Sequence, residues 1–487
     1  MLNSINSVGA STYVAPTSGV SASQAPQQSE GLEFSYNPQD ELVMDPQTIT
    51  VPNASKGGRA PESEHVRLGE DQVLKPNKEG QYVYNQGTPQ YIAAHTMGTV
   101  QSTVNALSEK FGQDISWAFG ERQIEVNPDA GMMLNAYYSR DDGSLNFFHA
   151  TDPVTRQQVF SGSSGEIVSH EAGHAILDAI KPGWLSTWQA DTNGLHEAFG
   201  DLTGLFMASQ NDAVCELAAK ETGGDLRKPN CLSATGELLG QTINNDAGQN
   251  ATGGTYVRTL INDFCWQAPH TVDPKPSGTD PLTTEMHSWS RIFSGAQYDL
   301  MTAMTARNME GGMEAAQAIK KAGSDCMTLL AGGIKKAPDE DASYRDVALG
   351  MLQTDRELGG ANQDLIFSTM RQRNILFEGD DQLMSIQSAP QPRREMTVTL
   401  EGPEFGKFSG AEVTGTVSAG PSIQSGNPGQ SLIDNMKMHI QNGSILYTEP
   451  NQKVEHKDLF DKDGRPYVGV VRWVDGKMTI ERNTMIS

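Results

Sequence analysis

The chain has 487 residues, of which 37% are hydrophobic, and this length and composition favour a large core and more than one domain. Its formal net charge of −24 argues against nucleic acid or an anionic membrane as the main partner. No apolar run approaches the roughly 20 residues of a membrane-spanning helix, so we expect no membrane span.

Residues 1–65 are rich in Ser, Gln, Pro, Asn and Gly, and we expect them to form a disordered or loosely attached tail. This segment lacks the basic stretch and following apolar stretch of a Sec signal peptide. We therefore expect the protein either to stay in the cytoplasm of the producing cell or to leave by a dedicated non-Sec route. A Ser-rich start of this kind is similar to type III secretion leaders.

The next segment mixes one helix with short strands. Apolar residues at helical spacing predict a helix over 91–111. Two strand-like runs, at 132–138 and 145–148, flank Asp141-Asp142-Gly143 and predict a hairpin. An extended peptide can add to the edge of such a hairpin through backbone hydrogen bonds.

An H-E-x-x-H pattern follows, at His170-Glu171-Ala172-Gly173-His174. The apolar residues around it and the S-x-x-E pattern of 163–166 predict a buried helix. Because four positions make about one helical turn, His170 and His174 lie on one face and can bind the same metal ion. The carboxylate of Glu171 can reach a water molecule beside that metal without being a ligand. The pattern indicates a zinc hydrolase, and the alternative is an ordinary amphipathic helix with two packed histidines.

A third metal ligand is expected on a second predicted helix, at 193–202. Glu197 and Asp201 share one face of this helix, four positions apart. Glu197 can complete a site of two histidines and one glutamate, which is a ligand set of catalytic zinc centres. Asp201 can accept a hydrogen bond from the free ring nitrogen of a ligand histidine and so fix its orientation. We therefore expect one catalytic Zn²⁺.

This pairing of H-E-x-x-H with a later E-x-x-x-D resembles the thermolysin-like (M4) gluzincin metallopeptidases. The resemblance implies that His170, His174 and Glu197 bind zinc. It also implies that Glu171 is the general base and that Asp201 supports His170 from behind.

The same resemblance implies an α+β fold of two lobes with the zinc between them. The N-terminal lobe would span residues 66–205, including the zinc-binding helices, and the mostly helical C-terminal lobe would span 206–380. Asn135 and Ala136 match the family's edge strand beside the cleft and are implied to bind substrate. The acidic residues expected after the third ligand are replaced by an apolar run at 205–209, so the sequence does not indicate the family's calcium sites.

Two further residues match the family in order and spacing. Arg258 is implied to bind a substrate carbonyl, and His287 is implied to stabilise the oxyanion of a tetrahedral intermediate. Asp280 and Glu285 are both candidates for the acid that orients His287. Where the family has a tyrosine that helps to hold the oxyanion, this chain has Trp188, and we expect the indole mainly to shape the cleft.

Residues 388–394 read as a linker, and the alternating runs beyond it predict a β-rich appendage at 395–487. This appendage resembles no family that we recognise. It could be a targeting module, an inhibitory cap, a structural extension or the binding site of a partner.

The sequence as a whole favours a zinc endopeptidase that acts on protein or peptide substrates. One alternative is another zinc hydrolase, such as an aminopeptidase. The other is an inactive, metal-bound scaffold that presents the β-rich appendage to a partner.

Overall fold

The computed structural model describes residues 31–248, 251–278, 280–380, 393–418 and 428–487. Helices make up 43% of the structure and strands 16%, which confirms the predicted α+β class. Within these ranges, no helix is both long and apolar enough to cross a membrane. Residues 1–30 of the predicted tail and 388–392 of the predicted linker lie outside the described residues.

Short strands and one long helix make up the chain to residue 160. The helix, α1 (Pro89–Phe111), matches the prediction for 91–111. The Thr88 side chain caps its first turn, and Gly112 ends it with a φ of 62°. The strands are β1 (Leu32–Tyr36), β2 (Gln47–Val51), β3 (Ser55–Lys56), β4 (Pro61–Glu62), β5 (Val66–Leu68), β6 (Ile124–Asn127), β7 (Ala136–Ser139), β8 (Ser144–Phe147), β9 (His149–Thr151) and β10 (Gln158–Phe160).

Helices dominate the next two hundred residues or so. The helices are α2 (Gly165–Ile180), α3 (Pro182–Leu185), α4 (Ala190–Ser209), α5 (Asp212–Thr222), α6 (Glu237–Ala247), α7 (Met286–Glu310), α8 (Ala315–Lys336), α9 (Tyr344–Glu357) and α10 (Gln363–Gln372). The short strands β11 (Ala234–Thr235) and β12 (Arg258–Thr259) pair with each other.

The C-terminal segment contains a five-stranded sheet and one helix, α11 (Pro428–Gln441). The strands of this sheet lie in the order β13-β14-β17-β16-β15. Asp475 and Gly476 form its tight hairpin turn with φ values of 50° and 80°. The strands are β13 (Arg393–Thr399), β14 (Glu412–Ser418), β15 (Ile445–Leu446), β16 (Gly469–Val474) and β17 (Lys477–Arg482), and the final strand is β18 (Met485–Ile486).

A seven-stranded sheet lies beside the helices, in the order β18-β7-β8-β6-β5-β4-β3. The predicted hairpin is its β7–β8 pair, in which Tyr138 lies opposite Leu145. Both side chains are fully buried and belong to a core that also contains residues of α1, α2 and α4. The last strand, β18, leaves the C-terminal unit and pairs with β7. The last strand of the chain, β18, and the early strand β3 therefore form the two edges of this sheet.

The composition of two segments indicates irregular structure, but both contain regular elements. Residues 31–65, which we assigned to a disordered tail, contain β1 to β4. Phe34 of β1 is fully buried and stacks on Tyr82, with 5.3 Å between ring centroids, a contact that composition alone does not reveal. The segment 240–254 is rich in Asn and Gly, a composition typical of a loop, yet its first half lies in α6. Leu239 and Thr242 are buried in that helix, so its packing outweighs its Asn and Gly content.

His95, on α1, gives the fold a sensitivity to acid. Its ring is fully buried, and Nδ1 accepts a hydrogen bond from the backbone N–H of Asn37 at 3.2 Å. Burial lowers the pKa of His95 to about 3. The unfolded chain takes up this proton below pH 6.5, whereas the folded chain does not, so folding stability is lost as pH falls from 6.5 towards 3.

We predict that a His95→Gln variant shows less of this loss. Between pH 7 and pH 5, the unfolding free energy of the parent chain should fall by about 2 kcal/mol more than that of the variant. Urea unfolding at the two pH values measures both slopes. Parallel slopes would mean that His95 takes up its proton over the same pH range in the folded protein as in the unfolded chain.

Candidate metal centre

The H-E-x-x-H helix, α2, packs against α4 and brings the predicted ligands together. Ser164 caps α2 through the N–H of Ile167, so the helix begins close to where the S-x-x-E pattern predicts. His170 Nε2 lies 3.6 Å from one carboxylate oxygen of Glu197, and His174 Nε2 lies 3.7 Å from the other. Suitable ligand atoms of the three residues all lie within 4.8 Å of one another.

These three side chains fit a metal ion. All are buried, and among the described residues the Nε2 atoms of both histidines and both carboxylate oxygens of Glu197 have no hydrogen-bond partner. Unpaired buried polar atoms are costly, so such a group points to a ligand that satisfies them together. Two imidazoles and a carboxylate suit zinc. Within the described ranges, this is the one cluster of His, Cys, Asp or Glu with such spacing.

Glycines let the two helices approach closely at the site. A Cβ at Gly173 would lie 2.9 Å from Thr203 Oγ1 on α4. A Cβ at Gly200 would lie 2.6 Å from the Cε1 atom of His170. Both distances are shorter than ordinary contacts, so these two positions require glycine if the ligands are to meet.

Asp201 and Arg258 support the ligands from behind. Asp201 Oδ1 lies 3.1 Å from His170 Nδ1, as predicted, and can fix the ring with Nε2 directed at the cluster. Arg258 Nη2 donates to the same Oδ1 atom at 2.8 Å, and its Nε also contacts the carboxylate. Burial alone would raise the pKa of Asp201. The charge of Arg258 and the hydrogen bond with His170 instead hold this pKa below its usual value. The predicted contact of Arg258 with a substrate carbonyl stays a prediction, and its observed partner is Asp201.

Glu171, the predicted general base, directly follows His170 on α2. Its side chain is 3% exposed, and among the described residues its Oε2 atom has no hydrogen-bond partner. Burial raises the pKa of Glu171 to about 8. Such a carboxyl group can both accept and return a proton near neutral pH.

His287, at the start of α7, reaches the same cluster. Its Nε2 lies 3.4 Å from Glu197 Oε2, and its Nδ1 lies 2.7 Å from Glu285 Oε1. Asp280 instead pairs with Arg291 at 2.6 Å, so the structure selects Glu285 as the orienting acid. Burial alone would lower the pKa of His287, but the charges of Glu197 and Glu285 raise this pKa above its usual value. The ring therefore favours the protonated state that an oxyanion donor requires.

Two of the remaining predicted residues, Asn135 and Trp188, contact the C-terminal appendage. Ala136 lies in β7, and Asn135 Nδ2 donates to the Gly464 carbonyl at 2.7 Å. Trp188 was expected mainly to shape the cleft, which stays a prediction. Its indole N–H donates to the Thr414 carbonyl at 3.1 Å, and its ring belongs to the core of the appendage. That single donor is thus already used.

Sequence reasoning missed His196, which lies against a metal ligand. Its Nδ1 is 3.1 Å from His174 Nδ1, opposite the Nε2 atom that faces Glu197. Burial lowers the pKa of His196 to about 3, so the ring is neutral and can accept the N–H of His174. The sequence signal that could have revealed His196 is its position directly before the predicted ligand Glu197.

A scan of protein-family models finds no match to this chain, and a search of curated proteins finds no relative.

Proposed function

We propose that this protein is a zinc-dependent endopeptidase with a thermolysin-like fold, which hydrolyses peptide bonds in proteins or peptides. The observation that carries the proposal is the buried cluster of His170, His174 and Glu197, whose facing atoms have no hydrogen-bond partner among the described residues. Glu171 lies beside it as a buried carboxyl group with a raised pKa. The motif resemblance supports the same reaction class.

The chain's own residues can be given distinct roles in hydrolysis. A zinc ion held by the three ligands would polarise the scissile carbonyl and acidify a water molecule. Glu171 accepts the proton of the attacking water and returns it to the leaving amine. His287, held by Glu285, donates a hydrogen bond to the oxyanion. Asp201 keeps the His170 ring in the orientation that directs Nε2 towards the cluster.

A second candidate function is a metal-bound scaffold without activity. One observation favours it, because the chain's own strand β18 lies along β7 beside the cluster. The intact Glu171 argues for the peptidase instead, since a scaffold has no need of a general base.

Metal analysis tests the proposal first. We predict about one zinc per purified chain, since the site has three ligands of the types zinc prefers. A Glu197→Ala variant should lose zinc on dialysis, whereas Glu109→Ala, an exposed change on α1, should keep it. Full zinc occupancy in Glu197→Ala would contradict the ligand assignment. Digestion of a peptide library by the zinc-loaded chain then tests the reaction.

A further inference from the structure

The edge of β7 beside the metal centre is covered by the last residues of the chain. β18 pairs with β7 antiparallel, with Met485 opposite Ser139 and Ile486 opposite Tyr138. The N–H of Arg140 extends the ladder by donating to the Thr484 carbonyl at 3.2 Å. Without β18, β7 would be an edge strand with free backbone groups.

Ser487 continues this strand as far as His287, which lies against the metal cluster. His287 Nε2 donates a hydrogen bond to the Ser487 backbone oxygen, and the same Nε2 atom lies 3.4 Å from Glu197. Ser487 is 6% exposed. A main-chain oxygen of Ser487 therefore accepts from the hydrogen-bond donor that the proposed mechanism assigns to the oxyanion of a substrate.

The side chains of this segment are also held in place. Ile486 is 2% exposed and belongs to the main core. Met485 packs with Tyr137, Phe148 and Phe460 in a small separate cluster. Burial on both faces distinguishes the segment from a chain end that merely lies on the surface.

Arg482, just before this segment, forms hydrogen bonds with α3 and with the ligand-bearing helix α4. Its guanidinium donates to the Leu185 carbonyl at 3.1 Å and to Asn193 Oδ1, on α4, at 2.7 Å. Trp188 adds a second connection through the core of the appendage. These contacts therefore hold the appendage, and with it residues 484–487, in place beside the metal centre.

We propose that residues 484–487 are an intramolecular ligand that lies in the cleft as a substrate does and holds the enzyme in a closed state. The inference rests on the proposed function and adds its regulation. A tethered segment competes at an effective concentration in the millimolar range, so even a weak two-residue strand can exclude dilute substrates. When the segment is displaced, the edge of β7 and the N–H donor of His287 both become free to bind a substrate.

Activity measurements test this directly. Deletion of residues 484–487 is expected to raise kcat/KM for an internally quenched peptide at least about tenfold, because substrate no longer competes with a tethered ligand. In the full chain, Ile486→Asp should act in the same direction, since it places a charge in a buried apolar position. Val474→Asp is the matched control, because Val474 is 51% exposed on the same appendage. Equal kcat/KM in all four chains would overturn the inference.

A binding measurement tests occupation without relying on activity. The probe is a fluorescein-labelled peptide with the sequence of Arg482–Ser487, followed by anisotropy with zinc-loaded protein. It should bind the chain that lacks 484–487 and bind the full chain at least about tenfold more weakly. The same peptide with aspartate in place of Ile486 should not bind. Equal binding to both chains, or to neither, would refute the intramolecular ligand.

The two measurements separate the two proposals. If the truncated chain binds the peptide but hydrolyses nothing, the occupation stands and the peptidase proposal fails. If both chains hydrolyse peptides equally well, the peptidase proposal stands and the closed state fails.

Discussion

Replacing Glu171 by glutamine is expected to lower peptide hydrolysis by about 10²–10⁴-fold and to leave zinc binding intact. Glutamine keeps the size and the hydrogen-bonding oxygen of the side chain but cannot accept the proton. Glu171 is not one of the three clustered ligand residues, so the metal should remain. The assay is best made in the chain that lacks residues 484–487, where no tethered segment competes with the substrate.

The control for this change is Glu109→Gln, which alters an exposed carboxylate on α1 and should leave both turnover and zinc content at the parent values. Equal turnover in Glu171→Gln would rule out the general-base role. Loss of zinc together with activity would instead make Glu171 part of the ligand set.

The Gly200→Ala change is expected to weaken zinc binding by about 10- to 100-fold, the cost typical of disturbing a group that orients a metal ligand. The added Cβ would lie 2.6, 2.7 and 2.8 Å from three atoms of the His170 ring. The ring has little freedom to move away, because it is buried and its Nδ1 atom lies 3.1 Å from Asp201 Oδ1 on the other side. Zinc affinity is measured by competition with a chelating dye.

Gly58→Ala is the matched control, because a Cβ there meets nothing within 4 Å. Alanine in place of glycine inside a helix normally stabilises it by about 1 kcal/mol, so helix propensity would not explain a loss of zinc at Gly200. Unchanged zinc affinity in Gly200→Ala would show that the space beside His170 is not restricted as the structure indicates.

The parts of the site that the sequence predicted are those set by local spacing. His170 and His174 are one helical turn apart, and Glu197 and Asp201 share a face of the next long helix, so helix geometry alone orients each pair. The pairing of His287 with Glu285 is local as well, across two positions. The identity of the acid that orients His287 remained open, because both Asp280 and Glu285 were near enough in sequence. The ion pair of Asp280 with Arg291 decides between them.

The parts that the sequence missed depend on contacts between distant segments. Trp188 donates to Thr414, 226 positions away, and Asn135 donates to Gly464, 329 positions away. No periodicity in either segment encodes such a pairing. The same limit explains β1, where the burial of Phe34 depends on Tyr82 and not on the polar composition of the surrounding residues.

The pairing of β18 with β7 also fixes an order of events during synthesis. About 275 residues separate the end of α4 from the start of β18, and translation at about 5–20 residues per second takes roughly 15 to 55 seconds to cover them. The helices that carry the metal ligands therefore leave the ribosome well before the strand that covers β7. Each newly made chain passes through an interval in which β7 has an unpaired edge, and that edge can close only after the helices with the metal ligands have been made.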